Sequence, residues 1–162
     1  MNYKFFTGKY LVYETIAKEY YDNDELAFEG EFLEGKRNAK GKEYYDNGNI
    51  KFEGEYLDGK RNGQGKEYYI NECLKFEGDY LNGKRWNGNG YDDSEYIEYE
   101  LKNGKGKVKE YNDDGKLKFE GEYLNGKRNG KGKEYYKNGK LIFEGEFLNG
   151  PRNEKEKNMI RM

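Results

Sequence analysis

Residues 119–136 read FEGEYLNGKRNGKGKEYY, and this stretch decides the fold. Phe119, Gly121 and Tyr123 alternate with Glu120 and Glu122, a period of two that suits a strand with one ring-bearing and one charged face. Asn125-Gly126 follows, the strongest two-residue hairpin signal because both residues tolerate positive φ. Residues 131–136 then read as the returning strand, and Asn138-Gly139 as the next turn. The first word recurs at 28–33, 52–57, 76–81 and 143–148, with weaker copies at 6–11 and 97–101. Units therefore begin near 6, 28, 52, 76, 97, 119 and 143, which makes residues 1–162 a single repeat array.

The expected fold is all-β: a single-layer antiparallel meander, or open β-solenoid, of about seven two-stranded hairpin repeats. Two-residue turns at Asp58-Gly59 and Asn71-Glu72 predict Phe52 opposite Gly65 and Glu67 opposite Phe76. The rings and glycines then share one face, where a ring can lie across a residue with no side chain. The other face carries cross-strand pairs such as Lys133–Glu144 and Lys131–Glu146, each contributing under ~1 kcal/mol but fixing register. Pro151, Glu154 and Glu156 replace regular residues, so a C-terminal cap is expected over 151–162.

Composition agrees with a one-sided sheet. Apolar residues are 33% and charged residues 38%, which alone suggests disorder, yet the chain has 18 Tyr, 9 Phe and 1 Trp. With no His, Ser94 as its sole serine and Cys73 as its sole cysteine, the chain cannot assemble a Ser-His-Asp or Cys-His nucleophile, a His-bearing zinc site or an internal disulfide. The 126–133 word looks like a phosphate loop but lacks the Ser or Thr after its lysine. Carboxylates recur with the repeat period, as structural positions do, and Asp92, Asp93 and Glu95 read as an exposed acidic turn. No enzyme activity, cofactor or metal is expected. A net charge of −2 gives no general attraction to nucleic acid. The absence of a signal-like or membrane-length apolar run predicts a cytoplasmic protein, membrane-peripheral in the alternative reading below.

The words at 52–69 (FEGEYLDGKRNGQGKEYY) and 119–136 closely resemble the MORN repeat family, and the resemblance extends over roughly 6–160. The KEYYxNGKLKFEG spacing is most similar to the variant form of the repeat, found also in bacterial proteins, some of them described as antitoxin-like. The resemblance implies an elongated, twisted single-sheet scaffold. It also implies protein partners bound along a grooved aromatic face, dimers in several members, and phosphoinositide or membrane association. Four departures stand out: Tyr99 at a family glycine position, Trp86 inserted into the Lys-Arg-Asn-Gly connection, Ala39 for a glycine, and Glu72 for a turn glycine. The irregular segment 86–96 is expected to change the local bend.

A single layer has nothing of its own to cover its rings, and contiguous exposed apolar area marks an interface. The expected partner-binding face comprises Phe52, Tyr56, Glu67, Tyr69, Phe76, Tyr80, Phe119, Tyr123, Glu134, Tyr136 and Phe143. Its rings, with Glu43, Glu67 and Glu134 nearby, suit a protein or peptide carrying Lys or Arg, or a second copy in a homodimer. The runner-up is a peripheral membrane adaptor that contacts anionic or phosphoinositide lipid through Lys127, Arg128, Lys131 and Lys133, within the modestly basic 97–142 region. An antitoxin-like half of a bacterial toxin–antitoxin pair is a further alternative, implied by the resemblance alone.

Overall fold

The computed structural model describes residues 3–7, 10–113 and 115–153, with side chains from Thr15 onward. Its strands, in chain order, are β1 (Tyr3–Thr7), β2 (Tyr10–Tyr20), β3 (Leu26–Leu33), β4 (Lys36–Tyr44), β5 (Ile50–Leu57), β6 (Lys60–Tyr68), β7 (Leu74–Leu81), β8 (Lys84–Tyr91), β9 (Ile97–Leu101), β10 (Gly106–Tyr111), β11 (Leu117–Leu124), β12 (Lys127–Tyr135) and β13 (Leu141–Phe147). No helix occurs among the described residues. The chain builds the expected antiparallel meander, as two open sheets: β1 to β9, then β10 to β13.

Turn chemistry sets one edge. Glu34-Gly35, Asp58-Gly59, Asn82-Gly83, Asn103-Gly104 and Asn125-Gly126 each hold both residues at positive φ, the two-residue geometry that matches strand twist. On the other edge, the expected two-residue turn at Asn71-Glu72 is three residues long. Tyr69 N–H donates to Cys73 O at 2.9 Å, Glu72 N–H donates to Tyr69 O at 3.0 Å, and Glu72 is left-handed (φ 69°).

A bulge corrects the expected register of β5 and β6. Leu57 pairs with Lys60 and Tyr56 with Arg61, but Gly54 then pairs with Gly65 and Phe52 with Glu67 rather than Gly65. The bulge falls at 62–64, where Gly63 takes φ 98°. A two-residue shift keeps side-chain parity, so the face assignments hold although this register does not. Between β6 and β7 the expected pairs form, Lys66 with Glu77 and Glu67 with Phe76.

Pairing also aligns a row across the strands: Ala17, Gly30, Gly41, Gly54, Gly65, Gly78 and Gly88. The backbones approach so closely that a Cβ on Gly54 would lie 2.7 Å from Gly65 Cα and 2.8 Å from Phe52 Cζ. Leu101 takes the next place in the row, and Val108 restarts it before Gly121 and Gly132. These two buried aliphatic side chains stand where other hairpins bring two glycines together, and here the ladder stops. Lys102 and Lys105 alone bridge the β9–β10 hairpin among the described residues.

The break thus falls one hairpin beyond the 86–96 segment that was expected to bend. Tyr99 lies in the phenylalanine row, opposite Gly90, so Leu101 and not Tyr99 is the glycine replacement. Trp86 is no insertion: Trp86 and Asn87 separate Arg85 from Gly88, where residues 62–64 separate Arg61 from Gly65. The turn column continues across the break. Gly83 N–H donates to Arg61 O (2.8 Å), Gly104 to Trp86 O (2.7 Å) and Gly126 to Gly104 O (2.9 Å). The cap expected over 151–162 lies, from 154 onward, outside the described residues.

Candidate functional site

The sequence places the rings on one face, and the fold then covers them. Phe28, Phe52, Phe76 and Phe119 are 0% exposed, and Tyr56, Tyr69 and Tyr80 are buried as well. Glycine backbone lies beneath Phe28, Phe52 and Phe119. An edge-on ring of the next hairpin packs beside them, at 5.3 Å for Phe28–Tyr56, 5.0 Å for Phe52–Tyr80 and 5.1 Å for Phe119–Phe147. Over the outer face sits a guanidinium: Arg37 4.1 Å from Phe28, Arg61 4.0 Å from Phe52 and Arg128 4.2 Å from Phe119. The expectation of an uncovered ring face is corrected. The cation that a partner was to supply is the chain's own arginine, from the Lys-Arg-Asn words.

Those arginines are pinned by the glutamates of the same face, which the sequence offers to a partner's Lys or Arg. Arg61 donates to both Glu43 oxygens at 3.1 and 2.6 Å and approaches Glu67 at 3.6 Å. Arg85 donates to Glu67 at 3.0 and 2.8 Å. Arg128 makes the same fork on Glu110 at 2.7 and 2.8 Å, and also binds Glu134, which takes Arg152 at 2.5 Å. Tyrosine hydroxyls complete the carboxylates' bonding, Tyr56 to Glu43 at 2.7 Å and Tyr123 to Glu110 at 2.6 Å. Burial works against the charge of Glu67, yet Arg85, Arg61 and Lys75 outweigh it and hold the carboxyl at about 2. Glu43 and Glu110 are likewise lowered against their burial, by Arg61 and Arg128 respectively. Burial, reinforced by these carboxylates, raises the Tyr56, Tyr80 and Tyr123 hydroxyls far above their ordinary value.

The remaining nominated residues scatter. Tyr69 belongs to a separate edge column, in which Tyr21 donates to Tyr44 O (2.6 Å), Tyr45 to Tyr68 O (2.8 Å) and Tyr69 to Tyr91 O (2.9 Å). Tyr123 and Phe143 are half-buried, and Tyr136 is exposed. Of the basic residues assigned to lipid, Arg128 is held inside the ladder and Lys133 pairs with Glu144 at 3.5 Å, while Lys127 and Lys131 are exposed. Sequence reasoning missed the ladder, although a signal was present: Arg37, Arg61 and Arg128 each precede a glutamate by six residues.

The charged face offers the open surfaces. In the first sheet a groove of about 630 Å³ runs over the Gly30, Gly41, Gly54 and Gly65 backbone. Its carboxylates are Glu29, Glu31, Glu53, Glu55 and Glu77, against Lys40, Lys42 and Lys66. One bank is a pinned alternation: Lys42 meets Glu53 at 3.6 Å, Lys66 meets Glu77 at 3.0 Å, and the Tyr44 and Tyr68 hydroxyls donate to Glu29 and Glu53 at 2.7 and 2.8 Å. The second sheet carries a matching groove of about 600 Å³ over Gly121, Gly132 and Gly145. The acidic turn is self-satisfied: Asp92 Oδ1 accepts from Ser94 and Tyr96 N–H at 3.0 and 2.9 Å. No cluster of potential metal ligands occurs among the described residues.

Two-stranded units with a glycine row, a ring row and a stacked turn column define an open antiparallel β-repeat array. Residues 28–50, 52–73 and 119–140 match the MORN repeat, and 105–125 match the MORN repeat variant. The chain belongs to the MORN repeat family, whose repeats often serve in binding and which is generally non-enzymatic. No curated protein matches the chain. Among the described residues no helix is long and apolar enough to cross a membrane.

Proposed function

We propose that this protein is a non-enzymatic MORN-repeat scaffold that binds a protein partner along the charged face, in the grooves over the glycine row. One observation carries the reading: the ring face is covered by the chain's own arginines, while the first groove stands open with five carboxylates against three lysines. A groove with one fixed bank and an acidic excess suits an extended segment carrying Lys or Arg. A second copy of the chain and an antitoxin's toxin are particular forms of the same reading. Lipid contact is the weaker proposal, because Arg128 and Lys133 already have carboxylate partners.

The test is fluorescence anisotropy with extended peptides graded in charge, run beside anionic vesicles. Affinity should rise with Lys and Arg content, fall with salt, and be lost in Glu53→Lys/Glu55→Lys while the fold persists. Tighter binding of acidic peptides, or binding unchanged by that double substitution, would sink the proposal. Vesicle capture that survives it and is lost on Lys127→Glu/Lys131→Glu would favour the lipid reading.

A further inference from the structure

Along the covered face carboxylate and guanidinium alternate: Glu43, Arg61, Glu67, Arg85 in the first sheet, then Glu110, Arg128, Glu134, Arg152 in the second. Between Arg85 and Glu110 one carboxylate and one guanidinium are missing. Gly90 stands opposite Phe76, the place that Glu67 holds opposite Phe52 and Glu134 opposite Phe119, and Lys105 runs directly into Gly106 with no arginine. Tyr99 leans over Gly90, and its hydroxyl accepts from Arg85 at 2.6 Å, a neutral partner where Arg61 and Arg128 each have a second carboxylate.

Beside this interruption lies a cleft of about 300 Å³ between the two sheets, lined by Glu67, Lys75, Lys84, Arg85, Glu110, Tyr111 and Tyr123 among others. That volume is at the lower end for small-molecule sites, roughly 300–1,000 Å³. Lys75 is 7% exposed, the only residue with a charged side chain that is buried among those described. Its ammonium lies 4.9 Å from the centre of the Tyr69 ring and a long 3.7 Å from Asp113, a half-exposed loop residue. Two carboxylates, Glu67 and Glu110, face three cations, Lys75, Lys84 and Arg85, so only a ligand that carries both charges finds a partner of each sign.

We propose that this cleft binds a small zwitterion, a free α-amino acid, which completes the interrupted ladder. Its carboxylate meets Arg85 and Lys75 and supplies the missing glutamate's charge, beside the Tyr99 ring that fills that glutamate's place. Its ammonium takes the place of the missing arginine against Glu110, and Tyr111 and Tyr123 form the wall. The site is distinct from the charged-face grooves and does not depend on what they bind.

The experiment titrates glycine and L-alanine into the full chain, with acetate and methylammonium as half-ligands. Thermal unfolding and amide chemical shifts are followed together. Both amino acids should raise the unfolding midpoint and shift amides around 67, 75, 85, 99 and 108–113, with each half-ligand about tenfold weaker or worse. Lys75→Met keeps the stem and removes the buried charge, so it should fold, and it should weaken binding at least about tenfold. Glu110→Gln, with its carboxamide still in reach of Arg128, should weaken methylammonium and the amino acids but not acetate. The proposal is overturned if neither amino acid shifts these amides, if Lys75→Met binds as well as the parent, or if acetate alone matches glycine.

Discussion

Replacing Arg61 with methionine tests the ladder at its centre. Methionine keeps a flexible stem over Phe52 but removes a guanidinium 4.0 Å from that ring. Two charge-assisted bonds to Glu43, at 3.1 and 2.6 Å, go with it, as does the 3.6 Å approach to Glu67. Arg61 and Glu43 side chains are each only 18% exposed, so the orphaned carboxylate cannot recover full hydration. Removing one partner of a largely buried pair costs about 3–5 kcal/mol. With a urea m-value of about 2 kcal/mol/M, the midpoint should fall by roughly 1.5–2.5 M.

The comparison is Lys42→Met on the opposite face. Lys42 meets Glu53 at 3.6 Å, with side chains 45% and 36% exposed, and its loss should stay within about 1 kcal/mol. The double variant Arg61→Met/Glu43→Gln should cost less than the sum of its parts by at least about 1.5 kcal/mol, because no charge is then left unpaired. Equal midpoints for Arg61→Met and Lys42→Met would refute the claim that the arginines seal the ring face.

Three further outcomes follow from single positions. Ala39 has φ 51° where Gly63 and Gly130 have 98° and 84°, so Ala39→Gly should stabilise the chain by about 1 kcal/mol in the same denaturation assay. Gly54→Ala puts a Cβ 2.6 Å from Gln64 O and 2.7 Å from Gly65 Cα, backbone that cannot swing aside, and should cost about 1–3 kcal/mol or more. Acid should loosen the ladder: Glu67 sits at about 2 in the fold against an ordinary 4.5, so its contribution is complete above 4.5 and is lost as pH falls toward 2. That contribution is of the order of 3 kcal/mol, and circular dichroism of Glu67→Gln should show a flatter acid limb.

Much of the fold was legible because hairpin grammar is local. Asn125-Gly126 announces its turn, and the alternation of Phe119, Gly121 and Tyr123 announces its faces, without reference to any distant residue. The bulge at 62–64 was not legible, since the word from Lys60 to Lys66 reads as continuous strand; only the pairing of Phe52 with Glu67 reveals the two residues taken up. The covered face was missed for a related reason. Arg61 and Glu43 are 18 residues apart and meet only through the stacking of neighbouring hairpins. Arg61 alone reads as part of a soluble turn word, and Phe52 alone as an uncovered ring.

The sealed face also gives a physical sense to the irregular middle of the array. A regular ladder lets each arginine sit between carboxylates of successive hairpins, and this works only while the glycine row keeps neighbouring strands close. Leu101 and Val108 end that closeness, and the two sheets part between them. An arginine and a glutamate kept at the parting would lose the register that pairs them and leave two charges poorly matched in a partly buried place. Gly90 and the Lys105-Gly106 step remove both charges together, and Tyr99 serves the surviving Arg85 with its hydroxyl. Beside the gap Glu67, Glu110, Lys75, Lys84 and Arg85 line one cleft with charges of both signs, where Arg85 and Glu67 form the last rung of the first sheet. Restoring the glutamate tests this logic: Gly90→Glu would meet the Tyr99 ring, since even a Cβ there lies 2.0 Å from it. It should therefore destabilise the parent by about 1–3 kcal/mol and do so less when Tyr99 is also changed to alanine. A stabilising Gly90→Glu in the parent background would show that the missing rung is an accident of the sequence and not a consequence of the parted sheets.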